Sequence, residues 1–120
     1  MKTIMVVDDS AFTRSIHKGI VEALGHQVVE ADNGRQAITL FKEEKPDLVL
    51  IDLLMPDIDG MDAAREILAL DQDARIVICS TDKQAYRRKE AKEIGVVDFV
   101  AKPVDPQALT RVIKEFCDTV

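Results

Sequence analysis

The sequence predicts an α/β domain in which a five-stranded parallel sheet is wound with helices on both faces. Three observations lead there. Apolar runs of strand length alternate strictly with stretches whose apolar residues recur at helical spacing. Gly, Pro, Asn and Asp stand at the joints between them. The most apolar run, Leu48 to Ile51, has the length and continuity of a strand buried on both faces.

Taken in order, Ile4 to Val7 reads as the first strand and ends in the acidic pair Asp8-Asp9. From Ser10 the period changes to 3.6, with Phe12, Ile16, Ile20 and Leu24 assigned to one inward stripe and Gly25 in the stop position. Gln27 to Ala31 is a short second strand. Asp32-Asn33-Gly34 then turns the chain into a helix that carries Ala37, Leu40 and Phe41 inward and is closed by Pro46. The central strand is cut off by Asp52, and Pro56 and Gly60 break the chain after it. Asp59 can cap a third helix whose inner face is Met61, Ala64, Ile67 and Leu68. Ile76 to Cys79 is the fourth strand, followed by Ser80-Thr81-Asp82.

A fourth helix from about Gln84 to Ile94 has the weakest pattern, since only Ala85, Ala91 and Ile94 give it an apolar face. Gly95 ends it, Val97 to Ala101 is the fifth strand, and Lys102-Pro103 stops that strand. The last helix has Asp105 as N-cap, Pro106 at its first position, and Leu109, Val112, Ile113, Phe116 and Val120 at helical spacing. Strict alternation of this kind implies right-handed crossovers, and at five strands the flavodoxin-like order 2-1-3-4-5 is the common solution.

Length and charge limit what the chain does. At 120 residues a single domain spanning 1–120 is expected, with no effector domain after Val120. No apolar run approaches the roughly 20 residues of a membrane span. Asp8 and Asp9 interrupt the first apolar run too early for a signal-peptide core, so a cytoplasmic location is expected. A net charge of −6 argues against nucleic-acid binding, which rests on neutralising phosphates with Lys and Arg. Cys79 and Cys117 match neither a disulfide framework nor a metal motif and read as packed thiols; His17 and His26 read as surface residues.

In open parallel sheets ligands bind at the carboxyl edge. The ends of strands 1, 3, 4 and 5 deliver there Asp8-Asp9, Asp52, Ser80-Thr81 and Lys102. Each alone has an ordinary reading: the acidic pair complements a helix dipole, Asp52 merely ends a strand, Ser80 is a turn residue, Lys102 is surface decoration. Their coincidence at four strand ends favours a site. Clustered carboxylates repel unless a cation sits among them, and hard oxygen ligands suit Mg2+. With a phosphoryl group added, Asp52 is placed as a carboxylate nucleophile, and Lys102 and the Ser80 hydroxyl meet the remaining negative charge.

Along its whole length the chain resembles the bacterial response-regulator receiver domain in its CheY-like single-domain form. The resemblance is carried by Val6-Val7-Asp8-Asp9-Ser10, by Asp52-Leu53-Leu54-Met55-Pro56-Asp57-Ile58-Asp59-Gly60 and by Phe99-Val100-Ala101-Lys102-Pro103. That family is itself a standard instance of the 2-1-3-4-5 order, so the two expectations are one. The resemblance implies that Asp52 is the phospho-acceptor, that Asp8, Asp9 and Asp52 hold Mg2+ together with the Leu54 backbone carbonyl, and that Lys102 contacts the phosphoryl group. It makes Ser80 the switch hydroxyl, Phe99 the switch aromatic, and the Lys102-Pro103 bond cis. Implied partners are a histidine kinase or histidine phosphotransfer protein as donor, and a downstream target on the face of helix 4, strand 5 and helix 5.

Some positions depart from the commonest pattern of the family. Thr81 stands where a smaller residue is usual and narrows access; Leu54 and Asp82 occupy positions that tune loss of the phosphoryl group. Ala108 and Val112 replace the Glu and Arg that pair across the transcription-factor dimer, so a monomer is expected. A phosphoryl relay or sink is the alternative within the family. A Mg2+-dependent phosphohydrolase is a weaker rival, because Leu54 stands where its acid/base Asp belongs and no insertion is long enough for a lid. A nucleotide-binding module lacks its Gly-rich phosphate loop after the first strand.

Overall fold

Side chains alternate across a strand, and in the central strand both sets are apolar, so the core divides into two layers about one sheet. The computed structural model describes residues 2–81 and 85–117. Expectations that rest on Met1, Asp82, Gln84 or Val120 lie outside the described residues. The elements are β1 (Thr3–Val7), α1 (Ala11–Ala23), β2 (Gln27–Ala31), α2 (Gly34–Glu44), β3 (Leu48–Asp52), α3 (Gly60–Leu70), β4 (Ile76–Ser80), α4 (Ala85–Ile94), β5 (Asp98–Ala101) and α5 (Pro106–Cys117). The sheet runs β2-β1-β3-β4-β5 with every pair parallel, as expected.

On one side Val49 and Ile51 of β3 meet Met5, Val7, Ile76 and Ile78, covered by Ala37 and Phe41 of α2, Met61, Ala64 and Ile67 of α3, and Ala91 of α4. On the other side Leu48 and Leu50 meet Ile4, Val6, Val77 and Cys79, covered by Val21 of α1 and by Leu109, Val112 and Ile113 of α5. Each of these α5 side chains is fully buried, worth about 1.5–3 kcal/mol apiece, which explains why α5 is so plainly written in the sequence. Both cysteines are buried; burial pushes the Cys79 thiol up to about 12 and leaves it an inert packed group.

Helix starts follow the capping chemistry. Ser10, Asn33 and Asp59 accept hydrogen bonds from the backbone N–H groups of Thr13, Gln36 and Asp62, at 3.2, 2.8 and 2.9 Å. Helix α2 ends at Lys45, which takes a left-handed conformation at φ 47° although it is not glycine. Pro46 follows, and the residue before a proline is disfavoured in the right-handed helical region.

Two expectations about α1 are corrected. Phe12 and Ile16 are exposed, at 77% and 46%, and the residues that face the sheet are His17 and Val21, flanked by Ile20 and Leu24. At about 100° per residue an i+4 ladder drifts by about 40° per step, so Phe12 and Leu24 lie about 120° apart and cannot share one face. The sheet-facing stripe mixes steps of three and four, and His17 falls on it. His17 is therefore buried, not a surface residue; burial and the nearby Lys102 charge lower its pKa against a smaller opposing pull from Asp8. Smaller differences occur elsewhere: β5 starts at Asp98, with Val97 exposed before it, and Ala85 is exposed on α4. Among the described residues no helix is long and apolar enough to cross a membrane.

Candidate functional site

Parallel pairing brings the strand ends level. Val7 lies opposite Ile51, Asp52 opposite Cys79 and Ser80 opposite Ala101, and the backbone N–H of Lys102 donates to the Ser80 carbonyl at 2.8 Å. Asp8, Asp52, Ser80 and Lys102 thus leave the sheet at one edge. Asp8 and Asp52 are buried at 2% and 8% exposure, and Ser80 is fully buried. Buried carboxylates are costly without partners, and this pair shares one ammonium: Lys102 Nζ lies 2.5 Å from Asp8 Oδ2 and 3.4 Å from Asp52 Oδ2.

Asp9, exposed, completes a group of three carboxylates that can each present an oxygen within 4.8 Å of the others. Among the described residues Lys102 is the one cation paired with these three acids, which leaves their charge incompletely balanced. The pKa of Asp52 is accordingly raised, first by burial and then by Asp8, against the lowering effects of Lys102 and the Leu54 N–H. Burial lowers the pKa of Lys102, but the Asp8 hydrogen bond and the Asp52 charge outweigh it, so the ammonium is held firmly protonated. The donor set is three hard oxygens at close quarters, and this fits a small divalent cation of the Mg2+ type.

Backbone details fix the acids in place. The Ser10 N–H donates to Asp8 Oδ1 at 2.9 Å, and Arg14 Nη1 donates to the Asp8 carbonyl at 2.7 Å while its Nε lies 3.4 Å from Glu30 of β2. The N–H of Leu54 reaches Asp52 Oδ1 at 3.4 Å, and the Leu54 side chain is exposed. Gly60, at the start of α3, donates its N–H to the Leu53 carbonyl at 2.8 Å. A Cβ there would overlap the Asp52 carbonyl, so only glycine lets α3 start this close to β3. The Lys102-Pro103 bond is cis, as the resemblance implied.

Ser80 and Phe99 share a face. Ile78 pairs with Phe99, and Ile78 and Phe99 both pack on the α2, α3 and α4 side of the sheet; Ser80, two residues along β4, points the same way. Phe99 is half-buried, with the Arg88 guanidinium 4.9 Å from its ring centroid. Sequence reasoning missed three features around the site: the Arg14 contact to Asp8, the buried His17, and the exposure of Phe12 and Ile16. These last line a largely apolar cleft of about 360 Å³ with His17, Thr81, Lys102 and Pro103, opening beside the acids.

Comparison with known proteins agrees with this geometry. The family described as the response regulator receiver domain matches residues 4–114. A chemotaxis protein CheY of Thermotoga maritima is 42% identical over 118 residues, covering 94% of this chain and 98% of the relative. A chemotaxis protein CheY of Bacillus subtilis is 41% identical over 113 residues, covering 93% and 94%. Among solved structures, a chain of the CheX-CheY-BeF3-Mg+2 complex from Borrelia burgdorferi superposes with a TM-score of 0.90 at 28% identity, covering 96% of this chain and 89% of that one.

Proposed function

We propose that this chain, which belongs to the response regulator receiver domain family, works as a phospho-accepting signalling switch with Asp52 as the acceptor. Receiver domains of this CheY-like kind are signalling modules of two-component systems, not classical enzymes. The observation that carries the reading is the convergence of Asp52 with Asp8, Asp9 and Lys102 at the end of the central strand.

In the proposed reaction a carboxylate oxygen of Asp52 attacks the phosphorus of a phosphohistidine on a kinase or phosphotransfer protein. The P–O bond forms, the P–N bond breaks, and the electron pair returns to the imidazole, which takes up a proton. Asp8, Asp9, Asp52 and the Leu54 carbonyl would hold Mg2+, which when bound supplies positive charge for the phosphoryl oxygens. Lys102 gives up part of its contact with Asp52 to the added phosphoryl group, and Ser80 donates its hydroxyl to a phosphoryl oxygen. The apolar cleft beside the acids, with exposed Phe12 and Ile16 on its rim, supports docking of the donor protein next to the acceptor.

The response is read on the face of α4, β5 and α5. Ser80 moving toward the phosphoryl group frees space into which Phe99 turns, biasing an equilibrium between two states of that face. A cytoplasmic monomer taking its phosphoryl group from a histidine kinase or histidine phosphotransfer protein and passing the signal to a downstream protein fits these features. The Borrelia relative is found with CheX, and a partner of comparable role is expected here.

The test is to incubate the protein with acetyl phosphate or a phosphorylated kinase and Mg2+ and to map the adduct. Label is expected on Asp52 alone; labelling at wild-type level in Asp52→Asn would overturn the assignment. A relay role would show instead as rapid onward transfer to a second histidine protein with no change at Phe99.

A further inference from the structure

Helix α4 is weakly anchored by apolar contacts. Ala91 is its one buried residue, with Ile94 packed against the same core cluster, whereas α3 buries six residues. Charge holds it in their place. Arg87 Nη2 lies 3.2 Å from Asp59 Oδ2 and Arg87 Nη1 3.6 Å from Glu90 Oε1, while Glu90 is also paired with Arg65 of α3. The Arg87 side chain is only 18% exposed.

Asp59 is at the same time part of the acceptor segment. Its Oδ1 accepts the Asp62 N–H at 2.9 Å as the cap of α3, so its side chain is fixed to the helix start while its other oxygen faces Arg87. The next residue, Gly60, is hydrogen-bonded to Leu53 and lies against the Asp52 carbonyl with no room for a Cβ. A shift of the backbone at Asp52 and Leu53 therefore cannot be absorbed at Gly60 and is passed to Asp59. Packed contacts of this kind transmit displacement because they do not deform continuously.

We infer that the Asp59–Arg87 ion pair couples the acceptor segment to α4, with Arg87 the positioning residue that holds α4 in its resting place. This route runs along the α3 start and is separate from the path through Ser80 and Phe99; it rests on the switch reading above. In the resting protein the pair favours the docked α4. When the segment after Asp52 moves, the pair loosens and α4 is released toward the partner-reading position.

Asp59→Asn isolates the charge, because Asn caps a helix about as well as Asp. Arg87→Met removes the other partner while keeping an apolar stem. Amide spectra of the full chain are recorded for wild type, both variants and the double variant, with and without beryllofluoride and Mg2+. In wild type the probe is expected to move the α4 resonances, Ala91 among them. Each variant without the probe is expected to lie part-way along that displacement, its ratio of released to docked α4 raised about two- to five-fold, the range a partly exposed ion pair supports. The double variant should move no further than Arg87→Met alone, since Asp59→Asn removes only a contact that Arg87→Met already removes. The Mg2+ titration midpoint should stay at the wild-type value. Resting α4 positions unchanged in both variants, or displacements that add in the double variant, would overturn the coupling. Absence of any α4 response in wild type would instead remove the switch reading itself, and with it this inference.

Discussion

Replacing the Asp52 carboxylate by an amide should stabilise the metal-free protein. Asp52 is buried, and its Coulomb interactions nearly cancel. Lys102 at 3.4 Å contributes about 5 kcal/mol of attraction at an effective dielectric of about 20, and Asp8, within 4.8 Å, about 3.5 kcal/mol or more of repulsion. Asp9 adds to the repulsion, weakened by solvent at its exposed position. The small attraction that survives is set against the several kcal/mol it takes to bury a carboxylate. Asp52→Asn removes that burden, keeps the shape and leaves Lys102 paired with Asp8. The expected gain is about 1–2 kcal/mol, or about 4–8 °C in melting temperature for a chain of this length.

Equilibrium urea denaturation in EDTA at about pH 8 measures the gain, and pH gives it a second signature. The folded-state pKa of Asp52 is raised, so between the ordinary carboxylate pKa of about 4 and the raised value the folded protein binds more protons than the unfolded chain. Wild-type stability from this group therefore falls as pH rises through that window, while the variant has nothing there to titrate. The advantage of Asp52→Asn should be absent below the window and complete above it. A variant no more stable than wild type at about pH 8, or an advantage that does not fade on acidification, would refute the account of Asp52 as a burdened carboxylate.

The same charge shortage makes Mg2+ a stabiliser: at about ten times its dissociation constant it should add about 1.4 kcal/mol, or about 5 °C, to wild type. The effect should be much reduced in Asp9→Ala, and a melting temperature indifferent to millimolar Mg2+ in both proteins would count against a shared site. Gly60→Ala places a Cβ onto the Asp52 carbonyl and should cost about 1–3 kcal/mol while also weakening Mg2+ binding, because the backbone that presents Asp52 must move. Chemical denaturation and a Mg2+ titration on the same preparation would expose an error if the variant matched wild type in both.

Most of the architecture was legible because each strand is a short apolar run and a parallel sheet buries both of its faces. In such a fold a strand's last residue has a known address, so Asp52, Ser80, Lys102 and the Asp8-Asp9 pair are brought to one edge by the strand pattern alone. Helix α1 was misjudged for a geometric reason: a row of apolar residues four apart looks like a stripe on paper but spirals around the helix. Phe12 and Ile16 satisfy the pattern and face water; His17 breaks it and faces the sheet. The left-handed Lys45 carried no signal of its own beyond the proline after it.

What the sequence could not reveal are pairings between side chains far apart in the chain. Nothing local distinguishes Arg14, which holds the Asp8 carbonyl and lies beside Glu30, from any other arginine on a helix, and the same holds for Arg87 facing Asp59 across 28 residues. These pairings also explain an unevenness in how firmly the elements are held. Strands β3 and β4 are buried at every position, and their residues alternate into two full apolar layers. At β5 only Val100 is buried, and the adjoining α4 relies on Ala91 and on partly exposed ion pairs. Partly exposed ion pairs contribute about 1 kcal/mol or less and weaken with salt, so local displacement costs less on the α4 and β5 side than at β3 and β4. Asp52 ends a strand buried at every position, which would hold its carboxylate in place for the proposed reaction, and the less firmly held α4 and β5 side adjoins it through Ser80, Phe99 and Asp59.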